Sequence, residues 1–128
     1  MKVNSLDHLV LTVQNIETTC QFYRQALGME VVSFGAGRKA LAFGAQKINL
    51  QQAGKESTLK AEKPTPGSAD LCFVTSLSVP EVIDHLKACG VVLLAGPVER
   101  QGARGPMLSV YFRDPDMNLV EVSTYMDA

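Results

Sequence analysis

The sequence predicts an α+β fold made of two tandem βαβββ modules. The predicted order strand, helix, strand, strand, strand occurs twice along the chain. Matching positions recur at a fixed spacing, because "ACG" at 88–90 lies 62 residues after "ALG" at 26–28. The length of 128 residues suits one domain, whereas a half of roughly sixty residues buries little core alone. We therefore expect one domain over 1–128, with modules at 5–52 and 68–125 joined by a loop at 53–67.

The first module contains four predicted strands and one predicted helix. "SLDHLVLTV" alternates and is rich in β-forming residues, which predicts a strand. In "QNIETTCQFYRQALG", Asn15 can cap a helix, Glu17 suits its first turn and Gly28 can end it. "MEVVSFG", "RKALAFG" and "QKINLQQ" then predict three short strands separated by glycine-containing turns.

The second module repeats this order after a polar, Pro/Gly-bearing stretch. "ADLCFVTS" predicts a strand, and "SVPEVIDHLKACG" predicts a helix with Ser78 and Glu81 spaced as a capping box. Val82, Leu86 and Cys89 are expected on one face of that helix. "VVLLAGP", "GPMLSVYFRD" and "NLVEVSTY" predict the last three strands, and "PVERQGARGP" is expected to be a flexible loop that holds ten extra residues.

The composition excludes several classes of partner. Hydrophobic residues make up 46% and charged residues 20%, which is typical of a folded domain. A net charge of −1 without a Lys/Arg-rich block argues against nucleic acid and anionic membranes as partners. The N-terminus lacks the features of a signal peptide, and no apolar run is long enough to span a membrane. Three widely spaced cysteines, Cys72 among them, are expected to be plain reduced thiols in a cytoplasmic protein.

Four predicted strands each direct one polar side chain to the face opposite two nearby apolar ones. These residues are His8, Asn49, Asp70 and Glu121. Because successive strand side chains point to opposite faces, the polar ones should share the face that the helices do not cover. All four types can bind a divalent cation. The alternative is that they are ordinary polar residues on a solvated sheet face, but their recurrence at matching positions favours a metal site.

The motifs that carry a family resemblance are "LDHLVLTV", "FYRQALGMEV" and, above all, "YFRDPDMNLVEV". They resemble the vicinal oxygen chelate superfamily, which includes glyoxalase I, fosfomycin- and bleomycin-resistance proteins and extradiol dioxygenases. Within it, the chain is most similar to small glyoxalase domain-containing proteins, over about residues 5 to 125. The resemblance implies that the modules form a curled, cup-like mixed sheet with the helices outside. It also implies a divalent metal ion (Zn, Ni, Mn or Fe), a small-molecule substrate and a homodimer.

The resemblance also implies roles for the four polar residues. His8 matches the first-strand histidine ligand and Glu121 the last-strand glutamate ligand, which is also the candidate catalytic base. Asn49 stands where glyoxalase I has Glu or Gln, and Asp70 stands where the metalloenzymes usually have His. One histidine with two carboxylates makes a dioxygenase less expected than Lewis-acid chemistry. The turn "RDPDMN" is expected to aim Glu121 rather than to act in catalysis.

Three further residues are candidates to hold the substrate. Arg38 and Arg104, with neighbouring Lys39, could bind an anionic group, and Arg104 is favoured because its loop is expected near the mouth of the cup. Tyr111 is expected on the cup face together with Ser109 and Arg113, with a core or rim position as its alternative. We expect a metal-dependent lyase or isomerase of the glyoxalase type. The alternative is a small-molecule binding protein of the bleomycin- or fosfomycin-resistance type.

Overall fold

The computed structural model describes residues 1–126, which form two helices and eight strands in the order βαβββ-βαβββ. In the first half these are β1 (His8–Val13), α1 (Ile16–Leu27), β2 (Glu30–Phe34), β3 (Arg38–Phe43) and β4 (Gln46–Gln52). In the second half they are β5 (Asp70–Val74), α2 (Val79–Ala88), β6 (Ala95–Gly102), β7 (Gly105–Arg113) and β8 (Leu119–Tyr125). The predicted α+β class and tandem arrangement are confirmed.

Each half builds its own four-stranded mixed sheet. The strand orders are β1-β4-β3-β2 and β5-β8-β7-β6. In both sheets the first strand is parallel to the fourth, with Leu9 opposite Ile48 and Leu71 opposite Val120. The remaining pairs are antiparallel. Backbone contacts divide the chain into a unit from Met1 to Gly67 and a unit from Ser68 onwards, which are described below one at a time.

The helix ends follow from local sequence. The side chain of Asn15 accepts a hydrogen bond from the Thr18 N–H at 3.0 Å, and Gly28 ends α1 at φ 65°, a conformation that glycine adopts without strain. Helix α1 packs on β2, β3 and β4, where Tyr23 is fully buried. With 12 and 10 residues, neither helix in 1–126 is long and apolar enough to cross a membrane.

Helix α2 begins with the predicted capping box. The Glu81 N–H donates to Ser78 Oγ at 3.3 Å, and the Ser78 N–H donates to the Glu81 carboxylate at 3.1 Å. The helix packs on β7 and β8 and buries Val82 and Leu86. Cys89 was expected on the same buried face, but it is exposed because it is the C-cap residue, where the chain already leaves the helix.

The expected flexible loop at residues 97–106 is instead a β-hairpin. Strand β6 begins at Ala95, near the end of the predicted strand "VVLLAGP" rather than at its start, and it pairs with β7 as far as Gly102 opposite Gly105. Pro97 misled the sequence prediction, because proline rarely sits inside a sheet. It falls in the irregularity between Ala95 and Val98, where the register shifts and no ladder hydrogen bond from Pro97 is required. The extra residues of the second module therefore lengthen two strands.

Candidate functional site

His8 and Asn49 lie on the same face of the first sheet. In the β1–β4 register, His8 is opposite Lys47 and Val10 is opposite Asn49. Side chains two residues apart on a strand share a face, so these four occupy one face. The flanking residues Ile48 and Leu50 point to the other face and are buried there. The arrangement predicted for the first module's two candidate ligands therefore holds within this sheet.

The imidazole of His8 is held by a neighbouring carboxylate. His8 Nδ1 lies 2.8 Å from Asp7 Oδ2, so Nδ1 is the protonated nitrogen when Asp7 is ionised. This leaves Nε2 with a free lone pair, which is the arrangement found for metal-binding histidines. The side chain of His8 is 40% exposed. Sequence reasoning missed Asp7, although the adjacent "DH" pair was a visible signal.

Asn49 is a buried acceptor without a partner. Only 6% of its surface is exposed, and its Oδ1 makes no hydrogen bond within residues 1–126. Leaving a buried amide oxygen unsatisfied costs roughly 1–3 kcal/mol. Its neighbour in register on β3 is Ala40, whose side chain has no polar group to offer. The amide oxygen is therefore available to a cation or to a hydrogen-bond donor on a bound molecule.

Two cations meet on one aromatic ring on the His8 face. The Arg38 guanidinium carbon lies 4.6 Å from the centroid of Phe34, and Lys47 Nζ lies 4.2 Å from it. Lys47 on β4 reaches Phe34 on β2 across β3, which presents the small side chains Ala40 and Ala42 on this face. Arg38 was a predicted substrate-binding residue. Lys47 was missed, because its place opposite His8 depends on the parallel register of β1 and β4.

Asp70 and Glu121 lie on one face of the second sheet. In register, Asp70 is opposite Leu119, and Glu121 has Cys72 on one side and Tyr111 on the other. Asp70 is exposed and Glu121 is partly exposed. Each module thus places its two predicted ligands on a common face. Within residues 1–126 no three His, Cys, Asp or Glu side chains form a ready-made metal-binding group.

A chain of hydroxyl groups contacts Glu121. Ser109 Oγ lies 2.6 Å from Ser123 Oγ, and Ser123 Oγ donates to Glu121 Oε2 at 3.2 Å. Cys72 Sγ lies 3.3 Å from the same Ser123 oxygen. Both serines are fully buried. Oε2 of Glu121 is therefore held by the protein.

Cys72 is a free thiol, as the sequence predicted, but it also contacts the hydroxyl groups that lead to Glu121. Partial burial of its sulfur raises the pKa of Cys72 above the ordinary 9.0. The hydrogen bond with Ser123 opposes this shift, and the charge of Glu121 adds to it. At neutral pH the residue is a protonated thiol, which is a hydrogen-bond donor and a poor nucleophile. The signal in the sequence was its position two residues after Asp70.

Arg100, rather than Arg104, bonds to Tyr111, the residue opposite Glu121 in register. Arg100 Nε donates to the Tyr111 hydroxyl at 2.9 Å, and Tyr111 is opposite Glu121 in register. Arg104 lies in the tight turn of the β6–β7 hairpin, and its guanidinium carbon stacks 4.3 Å from the centroid of Tyr125. The preference for Arg104 rested on a flexible loop that does not form. Arg100 was missed because its segment was taken for that loop.

The "RDPDMN" turn joins the starts of β5 and β8. Asp114 Oδ1 accepts hydrogen bonds from the N–H groups of Asp116 and Asn118, at 2.9 and 3.0 Å. The side-chain amide of Asn118 donates to Asp114 Oδ2 at 2.8 Å, while its oxygen accepts from the Ala69 N–H at 2.8 Å. The turn therefore fixes the strands that carry Asp70 and Glu121, in agreement with the structural role expected for it.

Comparison with known proteins identifies relatives along the whole chain. The model of the Glyoxalase/Bleomycin resistance protein/Dioxygenase superfamily matches residues 5–122. The chain is 52% identical over 126 residues to Virulence protein STM3117 of Salmonella typhimurium, covering 98% of this chain and 88% of that protein. The crystal structure of that protein has a TM-score of 0.97 and covers 98% of this chain and 100% of its own. Glyoxalase domain-containing protein RDO1 of Mycosarcoma maydis is 56% identical over 128 residues, which is 100% of this chain and 72% of that protein.

More distant structures share the fold alone. Lactoylglutathione lyase from Agrobacterium tumefaciens is 23% identical with a TM-score of 0.72, and the two chains are covered to 97% and 96%. TnmS3, an antibiotic binding protein from Streptomyces, is 19% identical with a TM-score of 0.77, at 98% and 99% coverage. One scaffold therefore serves proteins described as an enzyme and as a binding protein, so the side chains on the sheet faces must decide between the two roles.

Proposed function

The chain belongs to the Glyoxalase/Bleomycin resistance protein/Dioxygenase superfamily, and from this membership we propose that it is a divalent-metal-dependent enzyme of the glyoxalase type. It would be a lyase or isomerase that acts on a small oxygenated or thiol-adduct substrate. The observation that carries the proposal is the buried, unpartnered oxygen of Asn49 on the same face as His8. A cytoplasmic homodimer remains a prediction from the family resemblance and the reduced thiols.

The residues of the chain fit a divalent ion. The proposed ligands are two side chains from each module, namely His8, Asn49, Asp70 and Glu121. The bond of His8 Nδ1 to Asp7 leaves Nε2 as the nitrogen for a ligand, and the amide oxygen of Asn49 has no hydrogen-bond partner among residues 1–126. Two carboxylates with one imidazole and one amide oxygen suit Zn, Ni, Mn or Fe. When bound, such an ion polarises a substrate oxygen and stabilises the negative charge that develops there.

The other side chains on these faces would bind and orient the substrate. Glu121 keeps one carboxylate oxygen outside its bond with Ser123, so it can take a proton from a carbon or oxygen of the substrate. Arg100 beside Tyr111 on the second sheet, and Arg38 with Lys47 on the first, provide positive charge for an anionic substrate group.

A second function is favoured by the same oxygen of Asn49. A buried acceptor can equally receive a hydrogen bond from a bound small molecule without any metal. Asn49 and Asp70 are also the two positions at which the chain departs from the metalloenzyme pattern that the resemblance implies. The alternative is therefore a protein that sequesters a small molecule, of the bleomycin- or fosfomycin-resistance type.

An assay with a metal titration separates the two functions. Metal-free protein would be mixed with methylglyoxal and glutathione, and isomerisation would be followed as Zn²⁺, Ni²⁺ or Mn²⁺ is added. We expect activity that requires the ion, disappears with a chelator and is lost in Glu121→Gln. Glu30→Gln, an exposed change on β2, is the matched control and should stay active. Turnover that is indifferent to metal would contradict the proposal. A metal-independent complex with a small molecule and no turnover would support sequestration.

A further inference from the structure

Ser123 is the only hydroxyl that the described residues bring to Glu121. Its Oγ lies 3.2 Å from Glu121 Oε2, and its side chain is completely buried. A carboxylate oxygen can only accept, so the single hydroxyl hydrogen of Ser123 is committed to Glu121. Two residues apart on β8, the two side chains share one face of the sheet.

The remaining contacts of Ser123 have a fixed direction. Because its hydrogen points to Glu121, Ser123 Oγ accepts from the Ser109 hydroxyl at 2.6 Å. Cys72 Sγ lies 3.3 Å from the same oxygen and also interacts with the Glu121 carboxylate. Ser123 is therefore contacted from two neighbouring strands, β5 and β7.

We propose that Ser123 is a positioning residue that holds the carboxylate of Glu121 for metal binding, with Ser109 and Cys72 fixing the direction of its hydrogen bond. This inference rests on the proposed function, since it concerns how the Glu121 ligand is held. The bond restricts rotation of the carboxylate, so Glu121 would be held in place before an ion binds. Groups that orient metal ligands in this way typically contribute 10–100-fold to metal affinity.

The test is the affinity of metal-free protein for Mn²⁺ and Zn²⁺, measured by calorimetry. Ser123→Ala removes only the hydroxyl and should weaken affinity by about 10–100-fold. Ser123→Thr returns the hydroxyl and should restore most of the affinity. Ser109→Ala leaves the bond from Ser123 to Glu121 in place and should lose less affinity than Ser123→Ala. The Ser109→Ala variant therefore still tests the proposal if the larger side chain of Ser123→Thr does not fit.

Thr124→Val is the matched control. Thr124 follows Ser123 on β8, points to the other face, and donates to the Leu77 carbonyl at 2.7 Å. The control should lose stability but keep its metal affinity, whereas Ser123→Ala should lose affinity. If wild type binds an ion and Ser123→Ala binds it equally well, the positioning role is wrong and the proposed function stands. If wild type binds neither ion, both are wrong.

Discussion

Asn118 donates both its backbone N–H and its side-chain amide to the carboxylate of Asp114, at 3.0 and 2.8 Å. Both residues are buried, and the Asn118 oxygen also accepts from the Ala69 N–H. Two of these bonds hold the turn before β8 together, and the third ties it to Ala69, the residue before β5. The strands that carry Asp70 and Glu121 begin at this junction, so their parallel alignment depends on it.

Removing the Asn118 side chain should loosen the second module. Asn118→Ala leaves Asp114 Oδ2 and the Ala69 N–H without these partners in a buried region, so we expect a loss of about 2 kcal/mol or more in unfolding free energy. Chemical denaturation measures this. Met117→Ala, an exposed change in the same turn, should stay within about 0.5 kcal/mol of wild type. An Asn118→Ala protein as stable as this control would contradict the structural role of the turn.

Removing the hydroxyl group of Thr19 should make the protein more stable. The residue is buried in α1, and its Oγ1 has no hydrogen-bond partner among residues 1–126. Thr19→Val keeps the shape and the β-branch while removing the unsatisfied group, so we expect a gain of about 1 kcal/mol. Thr18→Val is the exposed control on the same helix. Thermal unfolding that gives Thr19→Val a lower Tm than wild type would show that the hydroxyl has a partner.

The α2 capping box should contribute a pH-dependent stability. The Ser78 hydroxyl, and then the Ser78 backbone N–H, lower the pKa of Glu81 from its ordinary 4.5. A lowered folded-state pKa stabilises the protein above pH 4.5, and this is lost as the pH falls through the folded-state value. Wild type should therefore exceed Glu81→Gln in stability at pH 7, and the difference should be smaller at pH 3. Urea unfolding at both pH values checks this, and a difference that grows in acid would contradict it.

Local sequence signals predicted the structural features that depend on residues close together in the chain. Asn15, Gly28 and the Ser78–Glu81 pair define helix ends through bonds between near neighbours in the chain. The hairpin of β6 and β7 was missed because Pro97 and the surrounding glycines resemble a loop, while the ladder that holds them comes from β7. Local composition cannot reveal a partner strand.

In the candidate site, too, some features follow from one strand alone and others depend on contacts between strands. Alternation along single strands was sufficient to place His8 and Glu121 on the polar faces. The partners of those residues depend on register between strands, which brings Lys47 opposite His8 and Cys72 opposite Glu121. A register shift of one residue between paired strands would have moved these side chains to the opposite face of the sheet. The sequence of one strand does not fix that register.

A substitution at Asn49 tests whether its amide oxygen binds a metal ion. Asn49→Asp places a carboxylate in a buried position without a partner, so the metal-free protein should lose stability by more than about 1 kcal/mol. A divalent ion should recover that loss and bind more tightly than to wild type, because it neutralises the new charge. Thermal shifts with and without Zn²⁺ or Mn²⁺ report both effects. Gln46→Glu, exposed on the same strand, should show neither. An Asn49→Asp protein that the ions fail to stabilise would argue against Asn49 as a ligand.

The proposed function requires that the chain bind a divalent ion through His8 and Glu121. The direct test is elemental analysis after incubation with Zn²⁺, Ni²⁺ or Mn²⁺ and removal of excess ion. We predict about one ion per chain for wild type and for His85→Ala, which changes the exposed histidine of α2. His8→Ala and Glu121→Ala should retain none. Wild-type protein that retains no ion, or His8→Ala protein that retains as much as wild type, would contradict the account.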